Sequence, residues 1–334
     1  MRWRTIGVAA CFFVAVACGT DTSEPGSDAP LTKVRHYLGV NASPGTTPWF
    51  LGVEKGFYED AGLDVELIEG ETQSASPSLV AEDKADLASI DLTLLALAKV
   101  EQPGLPVRMV MTYHARTIQA VFSLESGANI AEPAGLEGVT VYGRIGGVGN
   151  KVIETWAKRA GHPIPKFKEI DSQALDRLLV SGEVEAISSS ILSGPGLEAA
   201  TSDIGEELVT LELAEHGLEP YYGTGVIVSD GFADENPDAI RAWVDATIRS
   251  FAWCFENKEQ AAAEMVELYP TFTEETVVAA LEQLEKASTD GGALELDEIG
   301  GLDPAKVEAT IEIVEEALDI DVDVDSLYTT QYLD

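Results

Sequence analysis

The sequence is poor in cysteine and histidine, and this excludes several kinds of site. Three of its 334 residues are cysteine and four are histidine. Cys11 and Cys18 lie near the N-terminus, so only Cys254 remains in the body of the chain and no disulfide can form there. Cysteine and histidine pairs at the spacing of zinc ligands are missing, as is a Walker-type phosphate loop. We therefore expect neither a metal nor a resident cofactor.

Positive charge is also scarce, because 21 lysines and arginines stand against 58 aspartates and glutamates and leave a net charge of −37. Such a surface argues against a nucleic-acid partner and against anionic lipid headgroups. It does not exclude an anionic ligand, since a few local donors override a screened distant field. We expect a soluble, monomeric body.

Long apolar runs are missing apart from residues 6–17, which follow Arg2 and Arg4 and are shorter than the roughly 18–20 residues that cross a bilayer. The run ends in Ala-Val-Ala-Cys, which resembles a bacterial lipobox with Ala15 where leucine is commoner. We predict a signal peptide over residues 1–17, a lipid on Cys18 and an extracytoplasmic, membrane-anchored protein. The alternatives are a plain signal peptide beside a chance cysteine, or an uncleaved membrane helix.

Residues 18–31 form the next segment, in which positions 19–30 offer little but polar side chains, glycine and proline. Such a segment cannot join a core, so we predict a flexible tether. About 300 residues remain, more than one core usually holds, and we expect two lobes.

The body alternates strand and helix patterns. Residues 33–40 predict a strand, Thr47 and Pro48 open a helix that continues through Phe57, and residues 63–68 predict a second strand. This order favours a parallel sheet. A second unit of the same kind spans about residues 125–222, and helices dominate from residue 237 to 317.

Five segments of the body resemble one protein family. They are Gly56–Leu67, Asp83–Asp91, Val107–Met111, Leu136–Gly143 and Val226–Trp243. Their order is similar to that in bacterial ABC-transporter solute-binding proteins of the group that binds sulfonates, taurine, nitrate and thiamine-related pyrimidines. Asp83 departs from the family pattern, which has glycine there.

The resemblance implies an α/β fold of the two-lobed Venus-flytrap type, like the type II periplasmic binding proteins, with two parallel-core mixed sheets flanked by helices. Lobe I would comprise residues 32–122 and 227–334, and lobe II residues 123–226. The hinge crossovers would lie near residues 120–123 and 223–227, and the C-terminal helices would pack on lobe I. A ligand would bind in the cleft between the lobes.

A glycine-rich loop before a predicted helix is the strongest candidate for ligand contact. Its glycines allow close approach of the backbone, and free N–H groups at a helix N-terminus suit an anion or another acceptor. The alternative is an ordinary strand-to-helix turn. The candidates in and beside this loop are Tyr142, Arg144, Gly146, Gly147, Gly149 and Asn150.

The other candidates follow predicted strands that would end at the cleft. Trp49 would stack on a flat ligand or pack against the sheet, Asp91 would bind a ligand amine or cap the next helix, and Arg116 would clamp an oxyanion or lie exposed. The remaining candidates are Asn41, Ser43, Thr46, Tyr113, Ser189, Tyr222 and Thr224.

We expect a tethered solute-binding protein that delivers a small molecule to an ABC permease and its ATPase. The aromatic candidates favour a thiamine-precursor-like pyrimidine, and an alkanesulfonate, taurine or nitrate is the alternative. Pyrimidine-forming synthases share this fold, but their histidine and cysteine-rich iron motifs have no counterpart here, so we predict a protein that is not an enzyme. A sensory lipoprotein would share both fold and anchor.

Overall fold

The structure is a computed structural model that describes residues 30–145, 147–218 and 220–333. The predicted signal peptide, lipidated Cys18 and nearly all of the tether lie outside this range, as does Gly146. Among the described helices, none is both long and apolar enough to cross a membrane.

The first sheet has five strands in the order β2-β1-β3-β10-β4. β1 is parallel to β2 and β3, whereas β10 is antiparallel to both of its neighbours. The strands are β1 (Thr32–Tyr37), β2 (Leu63–Ile68), β3 (Leu87–Asp91), β4 (Val107–Thr112) and β10 (Thr224–Ser229).

The second sheet also has five strands, in the order β7-β6-β8-β5-β9. β6 is parallel to β7 and β8, and β5 is antiparallel to β8 and β9. Two mixed sheets with parallel cores confirm the predicted fold class. The strands are β5 (Gln119–Leu124), β6 (Thr140–Arg144), β7 (Lys166–Ile170), β8 (Ala186–Ser190) and β9 (Leu208–Glu212).

Helices cover both sheets. Those before β10 are α1 (Thr47–Glu54), α2 (Phe57–Asp60), α3 (Ser76–Ala81), α4 (Leu92–Glu101), α5 (Gly149–Ala160), α6 (Ser172–Val180) and α7 (Gly194–Ser202). Those after it are α8 (Asp230–Glu235), α9 (Pro237–Glu256), α10 (Lys258–Leu268), α11 (Glu274–Ser288) and α12 (Pro304–Leu318).

The first predicted helix begins at Thr47 as expected, but it does not run unbroken through Phe57. Gly56 has a φ of +74° and separates α1 from α2. A residue without a Cβ adopts this left-handed conformation at little cost, so the chain turns here as well as at Gly62, whose φ is +81°.

The lobe boundaries differ from the prediction. β5 pairs only within the second sheet, and all of β10 lies in the first. The crossovers are therefore residues 113–118 and the described residues of 213–223 (213–218 and 220–223), several residues earlier than predicted. The predicted boundaries fell inside β5 and β10 because each crossover leads straight into an apolar strand, and apolar alternation does not show which sheet the strand joins.

The C-terminal helices were expected on lobe I, and two of them contact lobe II as well. α9 and α10 pack on α1, whereas α11 also contacts α7 and α12 packs on α5 of the second lobe. An ion pair joins Arg159 Nε to Glu316 Oε2 at 2.6 Å across the α5–α12 contact. Two C-terminal helices thus touch both lobes.

Candidate functional site

A cleft of about 1710 Å³ lies between the two sheets. Its wall combines the ends of β3 and β8, the loop before α5, and the segment that leads into α11. These elements come from both lobes, so a molecule in the cleft would lie between the lobes.

The structure brings most of the sequence-predicted residues together in the wall of this cleft. Four others in the described range do not line it, namely Asn41, Arg116, Tyr142 and Tyr222. The predicted residues that line the cleft are Ser43, Thr46, Trp49, Asp91, Tyr113, Arg144, Gly147, Gly149, Asn150, Ser189 and Thr224.

Arg116 is an internal ion-pair partner instead of an exposed or ligand-clamping arginine. It is 6% exposed, and its Nη2 donates to Glu215 Oε1 at 2.9 Å. Lys286 Nζ lies 3.0 Å from the same carboxylate and 2.7 Å from Glu212 Oε2. Arg116 therefore links the two crossovers, and α11 joins them through Lys286.

The two predicted tyrosines that miss the cleft are held elsewhere. Tyr142 lies on β6 beside Lys168, whose Nζ is 5.4 Å from the ring centroid, and alternate residues of a strand face opposite sides. The hydroxyl of Tyr222 accepts a hydrogen bond from the backbone N–H of Asp303 at 2.9 Å. Asn41 is an exposed residue beyond the end of β1.

Trp49 packs in the core of the first lobe. Its ring centroid lies 4.8 Å from that of His36, 5.1 Å from that of Tyr113 and 5.0 Å from that of Phe251, and it stacks on Trp243 at 5.9 Å. With 2% of its surface exposed, Trp49 has no ring face free to stack on a ligand. Of the two alternatives from the sequence, the structure favours packing.

Asp91 caps α4 at the cleft wall. Its Oδ1 accepts a hydrogen bond from the backbone N–H of Thr93 at 2.8 Å, and its own N–H donates to Gln73 Oε1 at 3.0 Å. Burial raises the pKa of Asp91 to about 6, and the bond to Thr93 offsets this only in part. The carboxyl group is therefore close to its protonation midpoint in mildly acidic solution.

The glycine-rich loop packs closely on its own lobe. A Cβ at Gly143 would lie 2.4 Å from Asn150 Oδ1, and one at Gly149 would lie 3.0 Å from Ser188 Oγ. Gly147 closes the turn by donating its N–H to the carbonyl of Arg144 at 2.9 Å. A side chain at position 143 would displace the Asn150 amide, and one at position 149 would crowd Ser188, so contacts within the protein already favour glycine at both positions.

His114 is a cleft residue that the sequence did not single out. It lies in the first crossover, where its N–H donates to the Thr224 carbonyl at 3.1 Å and its carbonyl accepts from the N–H of Gly223 at 3.1 Å. Its side chain lines the cleft and is 3% exposed. Burial lowers the pKa of His114 to about 3, which keeps the imidazole neutral. The only sequence signal was its position directly after a predicted strand.

Other lining residues were missed because they do not follow strands. Gln73 and Thr72 precede α3, Asp176 lies on α6, and Thr273 and Thr276 begin α11. Helical positions that face a cleft show the same periodicity as those that face a core, so the sequence does not mark them.

One family model and several known proteins are similar in sequence to this chain. Residues 43–261 match a family model described as NMT1/THI5 like. A formylaminopyrimidine-binding protein of Halalkalibacterium halodurans is 22% identical over 263 residues, which cover 78% of this chain and 77% of the relative. A 4-amino-5-hydroxymethyl-2-methylpyrimidine phosphate synthase of Candida albicans is 23% identical over 247 residues, or 72% of each chain.

Solved structures show the same fold. The periplasmic aliphatic sulphonate binding protein of Escherichia coli superposes with a TM-score of 0.69 at 12% identity, covering 91% of this chain and 99% of that one. The two lobes and the family match confirm the resemblance predicted from the sequence. The chain belongs to the NMT1/THI5-like family and has the fold of the periplasmic binding proteins.

Proposed function

We propose that this protein is the solute-binding component of an ABC importer and captures a thiamine-precursor-like pyrimidine between its lobes. The observation that carries the proposal is the cleft. Polar groups from both sheets line it, and two adjacent crossovers connect the lobes on either side of it. The cleft exceeds the roughly 300–1,000 Å³ of a typical small-molecule site, so lobe closure would complete it around a ligand.

Two relatives support a pyrimidine ligand, since one is named as a formylaminopyrimidine-binding protein and the other as a pyrimidine phosphate synthase. The oxyanion alternative, an alkanesulfonate, taurine or nitrate, keeps support from the sulfonate-binding structure and from Arg144 in the cleft wall. Arg116, which the sequence offered as the clamp for an oxyanion, is paired with Glu215 and does not line the cleft. The absence of Arg116 from the cleft wall weighs against an oxyanion ligand.

We propose binding without catalysis, although two relatives are named as pyrimidine phosphate synthases. Within the described residues, no group of three or more histidine, cysteine, aspartate or glutamate side chains is arranged to hold a metal ion. Cys254 is buried, and burial raises the pKa of its thiol well above the usual range, so it is a poor nucleophile. The proposal includes the lipid anchor at Cys18 and docking of the loaded protein on an ABC permease.

A thermal-shift screen of the purified full chain tests the ligand class. The panel comprises formylaminopyrimidine, 4-amino-5-hydroxymethyl-2-methylpyrimidine, ethanesulfonate, taurine and nitrate. A ligand at 100 times its dissociation constant adds about 2.7 kcal/mol to the free energy of unfolding, which raises the melting temperature by a few degrees. We expect shifts with the pyrimidines. A shift with the oxyanions alone would replace the pyrimidine by the alternative.

A further inference from the structure

Two buried polar atoms in the cleft wall have no hydrogen-bond partner among the described residues. They are Nε2 of His114 and Oδ1 of Asn150, and both residues line the cleft. Three other such atoms, on His36, Trp243 and Gln283, belong to residues away from the cleft. Burying a polar group without a partner is costly, so the two atoms in the cleft wall point to a missing partner.

His114 offers a hydrogen-bond donor. Its Nδ1 accepts from the backbone N–H of Thr224 at 3.4 Å, and the neutral ring then carries its proton on Nε2. The backbone on both sides of the ring is fixed, because the carbonyl of His114 accepts from Gly223 and its N–H donates to Thr224. The Nε2–H group is therefore held in place beside the hinge.

Asn150 offers an acceptor from the second lobe. Its Nδ2 donates to the carbonyl of Lys168 at 3.3 Å, which fixes the orientation of the amide. Rotating the amide by 180° would set Oδ1 against that carbonyl and lose the bond. Asn150 is 9% exposed, and its amide packs beside Gly143 in the loop that lines the cleft.

We propose that His114 Nε2 and Asn150 Oδ1 recognise the ligand, and that the ligand is a neutral molecule presenting one acceptor and one donor. This inference rests on the proposed function and narrows it. An oxyanion such as nitrate or ethanesulfonate has acceptors only, so it would satisfy His114 and leave Asn150 Oδ1 facing negative charge. An aminopyrimidine or an amide carries both groups.

The first test uses variants of the full chain and isothermal titration with formylaminopyrimidine. His114→Phe keeps an aromatic ring and removes the donor, and we expect binding to weaken at least tenfold. His114→Gln restores an N–H donor and should return affinity to within about threefold of wild type. Asn150→Ala should also weaken binding at least tenfold. Asn41→Ala is the matched control, because Asn41 does not line the cleft, and should change nothing.

The second test needs no substitution. In the ¹⁵N-labelled wild-type protein, the Nε2 resonance of His114 should shift when ligand is added, and its proton should exchange more slowly with water. A purely structural histidine would show neither change.

The outcomes separate the inference from the proposed function. Pyrimidine binding with His114→Phe and Asn150→Ala both within twofold of wild type would overturn the inference and leave the proposed function standing. A different outcome is that cytosine binds, whereas formylaminopyrimidine and 4-amino-5-hydroxymethyl-2-methylpyrimidine do not, and that the same two variants lose cytosine binding. This outcome would overturn the proposed ligand and support the inference. Tight binding confined to ethanesulfonate or nitrate would overturn the inference, as would failure of every neutral probe.

Discussion

Trp49→Ala is expected to lower the free energy of unfolding by about 3–5 kcal/mol, the usual cost of deleting a large buried aromatic side chain. The indole contacts four other aromatic rings and is almost fully buried, so its removal leaves a cavity at the centre of the first lobe. Chemical denaturation of wild type and variant measures the difference. Had Trp49 stacked on the ligand, as the sequence also allowed, the main effect would be on affinity.

Trp253→Ala is the control for that substitution. Trp253 is half-buried on the same lobe, with Lys55 Nζ 3.9 Å from its ring centroid, and its removal should cost clearly less. Equal losses of stability in the two variants, or a loss below about 1 kcal/mol for Trp49→Ala, would contradict the core position of Trp49.

Acid is expected to destabilise the protein well before its surface carboxylates are protonated. Burial lowers the pKa of His36 and of His114 to about 3, whereas in the unfolded chain a histidine titrates near 6.5. Between these values the unfolded state binds more protons, so stability is fully present above pH 6.5 and falls as the pH is lowered. At pH 5 each of these two histidines lowers the free energy of unfolding by about 2 kcal/mol.

Asp91 has the opposite effect on the pH dependence of stability. Its pKa is raised to about 6, so below that value the folded state takes up a proton that the unfolded state binds only near pH 4. At pH 5 this proton uptake stabilises the folded state by about 1 kcal/mol. The expected net decrease in the free energy of unfolding between pH 7.5 and pH 5 is therefore about 3 kcal/mol.

Denaturation across this pH range checks the sign and the source of the effect. His114→Gln should remove about 2 kcal/mol of the pH-dependent loss, since the titrating group is gone. Ser78→Ala, an exposed substitution that removes no titrating group, is the control and should leave the pH dependence as in wild type. A stability that stays level down to pH 5 in wild type would contradict the neutral buried state of both histidines.

Much of the first lobe was predictable because its residues carry strong local signals. The strand at residues 63–68 alternates apolar and polar side chains and is found as Leu63–Ile68, and Thr47 and Pro48 mark the start of α1. Two strands of the second sheet were not predicted. Lys166–Ile170 is a largely exposed edge strand, and Leu208–Glu212 is another edge strand with little burial, so neither shows a buried face.

The candidate site was predicted where strands end and missed where tertiary contacts decide. Asp91 and Ser189 lie at the ends of β3 and β8, and both line the cleft. Arg116 was predicted either to clamp an oxyanion or to lie exposed, but it pairs with Glu215, which is 99 residues away along the chain. His114 was passed over because burial and the lack of a partner for Nε2 become visible only once the two crossovers are paired.

The central claim is that a small molecule binds between the lobes, and blocking the cleft tests it most directly. Ser189→Trp places an indole at the end of β8 in the cleft wall, whereas Ser78→Trp adds the same group to an exposed position on α3 away from the cleft. Titration of the full chain with formylaminopyrimidine should give one site per chain in wild type and Ser78→Trp, and none in folded Ser189→Trp. Equal binding by all three proteins would contradict the account.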